Sequence, residues 1–366
     1  MNGGSALLER PPTAPEGENA IYEAPLPAFV EAELERLYKS VFASMVRVRS
    51  MGLFEQVSAF VARHGGEVSC VLLFHRDGGV VHVLNEAVAL HAADIECFAR
   101  TLFATYPAVR LVSFPALRAR IGTLPFPYQQ FDCLEDIVLE LPRTADAYFA
   151  ALGKNMRSSL KRYQKKIATD FPGFRYAFYE KGDIGEQDLA AVVGLSSARI
   201  ASKNQLSTHT GEKTRQLMRL VKECGVVLVA TIDGRVCAGV ICTRFGGNFF
   251  MHVVAHDPAY DEYRIGKVCC YLSICDAIAR GAAEYHFLWG RYEYKYRLLG
   301  EQRDYDRLVI YRSRLALLRN LKLFLRTAWR GYGRRAKWWL LDEQRSNNRW
   351  ARLVLGAWRR VGSHGG

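Results

Sequence analysis

Two short stretches hold most of the side chains able to do chemistry. In HFLWGRYEYK, residues 286–295, an apolar run stops at Gly290, and charged and aromatic residues then alternate through Arg291, Tyr292, Glu293, Tyr294 and Lys295. In HDPAYDEYRIGK, residues 256–267, Gly266 stands between Arg264 and Lys267 at the point where a helical pattern begins. The first amides of a helix lack intrahelical acceptors, and a glycine there lets an anionic phosphate come close. The second stretch is therefore expected to bind a pyrophosphate. The chain carries no Ser-His-Asp order, no metal-ligand spacing and no Walker loop, so hydrolase, metalloenzyme and NTPase chemistry are not indicated.

The elements that must position these stretches repeat. Residues 226–311 give strands at Val226–Ile232, Val236–Arg244 and Asn248–Ala255, a helix at Lys267–Arg280, and strands at Glu284–Trp289 and Arg307–Tyr311. Residues 68–141 give strands at Val68–His75 and Val80–Leu84, a helix at Asp94–Tyr106, and strands at Val109–Phe114 and Asp136–Leu141. Superposing Gly78-Gly79 on Gly246-Gly247 brings hairpin, helix and next strand into one order, which predicts a tandem duplication of an α/β (α+β) unit with mixed sheets flanked by helices. The first copy has Asn85-Glu86-Ala87 and HAADIE where the second has its glycine loop, so only the second is expected to hold a phosphate. Residues 27–62 read as one or two helices. A linking helix puts Leu152, Met156, Leu160, Tyr163 and Ile167 on one face and Lys154, Arg157, Lys161, Arg162, Lys165 and Lys166 elsewhere, either a solvated face or a basic wall. The expected organisation is a disordered arm at 1–25, units at 26–145 and 146–312, and a tail at 313–366.

From about 150 to 312 the order strand, Gly-containing loop, helix, short strand ending in Leu-Trp-Gly, then Glu-Tyr-Lys resembles the acetyltransferases of cellulose and exopolysaccharide biosynthesis clusters. These belong to the Gcn5-related N-acetyltransferase (GNAT) superfamily and are similar to Fem-type aminoacyl transferases. The resemblance implies two GNAT-like domains, the first degenerate. It implies transfer of an acyl group from acyl-CoA or acetyl-CoA, without a metal, to an amine or hydroxyl of a saccharide, lipid or amino-acid-like acceptor. An acyl carrier protein or a tRNA is a further donor on this reading, and a Fem-type aminoacyl transferase or a non-catalytic, membrane-docked accessory of a polysaccharide synthase is the alternative function. Arg264, Ile265, Gly266 and Lys267 would hold the pyrophosphate, and the amide of Val253 or Val254 would polarise the thioester carbonyl. Glu293 is the first choice of base, His252 and His256 the second, and Tyr292 or Tyr294 would protonate the leaving thiolate. Lys295 would pair with Glu293 or, with Arg157, hold the acceptor.

Charge is concentrated at one end. Of a net +13, residues 312–360 carry fourteen Lys or Arg against Asp342 and Glu343, or +12, so the body is near neutral and the tail is a basic appendage. Arg312, Arg319, Lys322, Arg326 and Arg330 fall on one helical face, with Leu317, Leu318, Leu321, Phe324, Leu325 and Trp329 opposite. Such a helix suits an anionic membrane surface; docking on the body, an oligomer contact and RNA binding are the alternatives. The first twenty residues have neither signal-peptide nor anchor character, no apolar run reaches the roughly 18 residues of a membrane span, and nine cysteines read as buried thiols. These features predict a cytoplasmic protein, peripheral on the inner membrane if the tail binds there.

Overall fold

The computed structural model describes residues 19–202 and 211–345. Its first half runs β1 (Asn19–Tyr22), α1 (Phe29–Tyr38), α2 (Met45–Ser50), β2 (Ser58–His64), β3 (Glu67–Asp77), β4 (Val80–Val83), β5 (Val88–Ala89), α3 (Ala92–Thr105), β6 (Leu111–Arg118) and β7 (Tyr128–Glu140). After α4 (Ala145–Ala151) and α5 (Lys154–Asp170) come β8 (Phe174–Glu180), α6 (Glu186–Ser202), α7 (Gly211–Cys224), β9 (Gly225–Ile232), β10 (Arg235–Phe245), β11 (Asn248–His256), α8 (Ile265–Ala279), β12 (Glu284–Trp289), α9 (Glu293–Arg297) and β13 (Glu301–Tyr311). The described residues end with α10 (Arg314–Arg319) and α11 (Leu321–Arg345).

Among the described residues all thirteen strands join one mixed sheet; along its path the order is β1-β2-β3-β4-β6-β13-β7-β12-β11-β10-β9-β8, with β5 beside β6. Reading inward from each edge gives the same series twice, with a parallel pair, β4 with β6 and β11 with β12, at the fourth and fifth places. The tight hairpins follow from residues that tolerate positive φ: Asp233-Gly234 at 49° and 80°, and Gly246-Gly247 at 57° and 80°. The centre departs from a simple tandem. β7 pairs with β12, β13 pairs with β6, and the two run antiparallel from Glu301↔Val138 to Ile310↔Tyr128, so each half receives its last strand from the other.

Helices cover both faces, as a sheet buried on both sides requires. In the second half α4, α5 and α8 pack on one face around Tyr148, Leu160 and Ile274, and α6 and α7 on the other around Val192 and Val221. The first half has α3 on one face and α1 with α2 on the other. The halves also meet directly: Asn248 Nδ2 donates to Lys39 O at 3.1 Å, and Val41 and Val46 pack with Leu220, Phe250 and Leu288.

Two expectations change. Residues 1–18 of the expected arm lie outside the described residues, but Asn19–Tyr22 is the edge strand β1, paired with Ala59–Ala62. The helical reading of 27–62 holds for α1 and α2 and fails at SAFVARH, which is β2. Its first five residues are all buried, so the alternation that marks a strand is absent.

Candidate active site

β11 and β12 are bonded to each other only at Phe249↔Tyr285 and Phe250↔His286 and then diverge. Past that point the edge of β11 facing β12, residues 251–254, has no ladder to that strand. The end of β12 bends away, with Leu288 at φ 56° and Gly290 at 94°. In the first half the same gap is filled, because β5 pairs with β6 at Leu117 and Arg118. A cavity of about 860 Å³ opens beside the splay. Met251–Val254 and Phe287–Gly290 form one wall, Lys213 and Leu217 of α7 another, and Phe42, Arg47 and Glu86 of the first half close it.

A β-bulge decides which side chains enter. β10 residues Ile241 and Cys242 pair with Val253 and Met251, so His252 is the extra residue and the strand's alternation shifts there. Phe249 and Met251 lie in the α8-side core, whereas Val253 and Ala255 lie in the α6/α7-side core. His252 lines the cavity with its Nε2 2.9 Å from Thr243 Oγ1 and its ring 6.1 Å from that of Phe42. His256 sits elsewhere, against the start of α8, with its Nε2 2.7 Å from Asp261 Oδ1. The two histidines expected as alternatives therefore occupy different places, and only His252 faces the cavity. Val253 and Val254 line it too.

The alternation after Gly290 proves to be helical. Residues 293–297 form the single turn α9, where positions two apart point to nearly opposite sides. Glu293, its side chain 76 % exposed, pairs with Arg297 at 2.7 Å and is not part of the cavity wall. Lys295, 2 % exposed, turns inward and donates to Leu288 O at 2.8 Å and Trp289 O at 2.7 Å, so the expected Glu293–Lys295 pair is not formed. Burial pushes its amine down to about 8. Its ammonium fixes the bend at the end of β12. Tyr292 and Tyr294 line the cavity, rings 6.2 Å apart, and a Cβ on Gly290 would come within 2.6 Å of the Tyr292 ring.

Beneath the splay lies a buried ion cluster. His286 Nδ1 is 2.6 Å from Asp136 Oδ2, its Nε2 is 3.2 Å from Glu284 Oε2, and Arg303 donates to Glu284 at 2.6 Å. Burial works against the Glu284 carboxylate, yet His286 and Arg303 hold it at about 2. Burial likewise works against the His286 imidazolium, and Asp136 and Glu284 raise it. A depressed carboxyl gives stability that is present above its ordinary 4.5 and lost as pH falls toward about 2. A raised imidazole gives stability present below its ordinary 6.5 and lost as pH rises through the folded-state value. Denaturant midpoints are therefore expected to drop as pH falls below about 4.5, and Glu284→Gln to flatten that drop; an unchanged acid limb in the variant would refute the assignment.

At the start of α8, Gly266 is buried and packed on His256, whose Nδ1 would lie 2.7 Å from an added Cβ. Glycine is thus needed there for helix–strand packing, which the sequence reading did not consider. Arg264, in the left-handed region at φ 49°, caps the helix. Burial lowers the Lys267 amine, and the charges of Arg264, Arg297 and Arg162 lower it further against the opposing effect of Tyr163. Those four bases form a positive cluster beside the N-terminus that Ile265 begins. Arg157 has another place: it donates to Ala150 O at 2.6 Å and Leu152 O at 2.7 Å, tying the end of α4 to α5, and is not part of the cavity wall.

Arg47 and Glu86, ion-paired and both on the cavity wall, were not singled out from the sequence. Arg47 also donates to Phe42 O at 3.1 Å. Glu86 lies at the position where the first copy lacks glycine, the signal that pointed away from it. Among the described residues no group of three His, Cys, Asp or Glu is placed to hold a metal ion, and no helix is long and apolar enough to cross a membrane.

Residues 154–296 match the family model of the acetyltransferase (GNAT) domain. No curated protein matches the chain. Among solved structures, FemX is similar at 8 % identity and a TM-score of 0.55, covering 75 % of this chain and 95 % of its own. A conserved protein of unknown function from Bacteroides thetaiotaomicron is similar at 11 % identity and 0.53, covering 78 % and 96 %. The C-terminal domain of a protein described as a lysylphosphatidylglycerol synthetase from Agrobacterium fabrum is similar at 10 % identity and 0.50, covering 81 % and 95 %. These likenesses establish a shared fold.

Proposed function

We propose that the protein transfers an acyl group from a coenzyme A thioester to an amine or hydroxyl bound in the cavity. The observation that carries this reading is the open splay with the cavity at its side, together with its closure in the first half by β5. The bases Arg162, Arg264, Lys267 and Arg297 at the start of α8 suit the pyrophosphate of such a donor. The amide of Val253 or Val254, on the unladdered edge of β11, would polarise the thioester carbonyl. The acceptor's nitrogen or oxygen attacks that carbon and loses its proton to His252. The carbon–sulfur bond then breaks, and the coenzyme leaves as a thiolate that takes a proton from Tyr292, Tyr294 or water.

The acceptor we favour is a saccharide, lipid or amino-acid-like molecule of envelope or polysaccharide synthesis, following the family resemblance. A Fem-type aminoacyl transfer from tRNA is the second reading. It is favoured by the cavity wall that the first half supplies through Phe42, Arg47 and Glu86, because an acceptor would be gripped by both halves.

Calorimetric titration of the full chain with acetyl-CoA and a longer acyl-CoA, followed by assay of thiol release with a panel of amines and hydroxyl compounds, tests the proposal. Binding and acceptor-dependent thiol release are expected. Failure of every CoA thioester to bind would overturn it, and consumption of aminoacyl-tRNA in the same assay would establish the second reading.

A further inference from the structure

The tail helix presents two apolar faces, and the body covers one of them. Phe324, Thr327, Gly331, Arg334 and Trp338 turn toward β7 and its neighbours. Gln129 Nε2 donates to Phe324 O at 3.1 Å, Arg334 pairs with Asp132 and Glu135, a Cβ on Gly331 would meet Phe131 at 2.6 Å, and the Arg291 guanidinium lies 4.0 Å over the Trp338 ring. The remaining apolar side chains, Leu318, Leu321, Leu325, Trp329, Tyr332 and Trp339, are exposed, Trp329 at 80 %. Within α11 their spacing of three, four and seven makes one stripe, about 130° around the helix from the docked seam.

The spacing of residues predicts one basic face against one apolar face, and the structure redistributes both. Leu317 and Phe324 pack on Leu111, Val309 and Tyr311. Arg312 belongs to no outer face, since it donates to Phe103 O, Tyr106 O and Val109 O at the end of α3. What remains outward is a ridge of Leu, Trp and Tyr with Lys322, Arg326 and Arg330 directly following Leu321, Leu325 and Trp329.

We propose that this ridge seats the protein on the surface of an anionic lipid bilayer. From 314 to 339 the chain has eight Lys or Arg and no Asp or Glu, and Arg334 alone of these pairs with the body's carboxylates. A surface of that sign repels a second copy of itself and attracts anionic headgroups, while the Trp, Tyr and Leu side chains enter the headgroup boundary. Ridge and body are rigidly joined through the opposite face of the same helix. Its Trp338 covers Arg291, next to the cavity-lining Gly290, so the helix that rests on the bilayer also braces the loop at the cavity wall.

Co-sedimentation of the full chain with phosphatidylcholine vesicles, with and without phosphatidylglycerol, tests this. Binding is expected only with the anionic lipid, and weaker as salt rises. Leu325→Glu with Trp329→Glu is expected to abolish it, and Lys322→Glu with Arg326→Glu to weaken it about tenfold or more per reversed base. All four positions are exposed, so the thermal melt should be unchanged. Absence of binding to anionic vesicles, or equal binding by the Leu325/Trp329 variant, would overturn the proposal. So would a dimer in sedimentation velocity that the same substitutions dissolve, or a preference for RNA over the vesicles.

Discussion

His252→Ala is expected to lower kcat for acyl transfer by ~10²–10⁴-fold, the usual contribution of a positioned base, while leaving the KM for the acyl donor nearly unchanged. The bulge in β11 turns His252 onto the cavity side of the sheet, and Thr243, fully buried, holds its Nε2. The donor's phosphates would sit at the start of α8, a separate contact, so their binding should survive. His256→Ala supplies the contrast, raising the KM for the donor and leaving kcat nearly unchanged. Retention of nearly full kcat by His252→Ala would move the base to Glu86 on the opposite wall.

Lys295→Met should be the most damaging change to stability. The side chains are of similar length, so little volume is lost, but the buried carbonyls of Leu288 and Trp289 lose their shared donor. Leaving two acceptors unpaired costs ~2–5 kcal/mol, and the melting temperature should fall by roughly 3–6 °C. Activity should fall with it, because the same carbonyls hold the bend that opens the splay. Lys295→Arg should not rescue, since a guanidinium fork does not fit the place of a compact ammonium. A melt unchanged in Lys295→Met would show that the bend is held by Gly290 alone.

Hairpins and the helix that follows β11 were legible because local signals mark them: glycine-rich turns, β-branched runs, a change of period. The exchange of β7 and β13 was not, since register between strands more than 150 residues apart leaves no local trace; only the ends of both strands were expected, at Asp136–Leu141 and Arg307–Tyr311. Of the expected site, Gly266, Lys267, Val253, Val254, His252 and the two tyrosines lie along the splay or at the helix behind it. Glu293 turns away because one turn of helix, unlike an extended chain, puts residues two apart on nearly opposite sides, and Lys295 takes the inward place. Arg47 and Glu86 were missed because a wall supplied by the other half of the chain is a property of the assembled fold.

The exchanged strands also govern how the protein can be made. While the chain is being synthesised, β6 emerges beside β4 and then waits for β13, which leaves the ribosome only after nearly all of the second half, roughly ten seconds or more later at ~5–20 residues per second. During that interval β7 has neither of its sheet partners, and the nascent first half carries an open, hydrophobic edge. Cooperative closure of both halves therefore has to follow the emergence of β13, and a nascent chain arrested before it should be held by chaperones or aggregate.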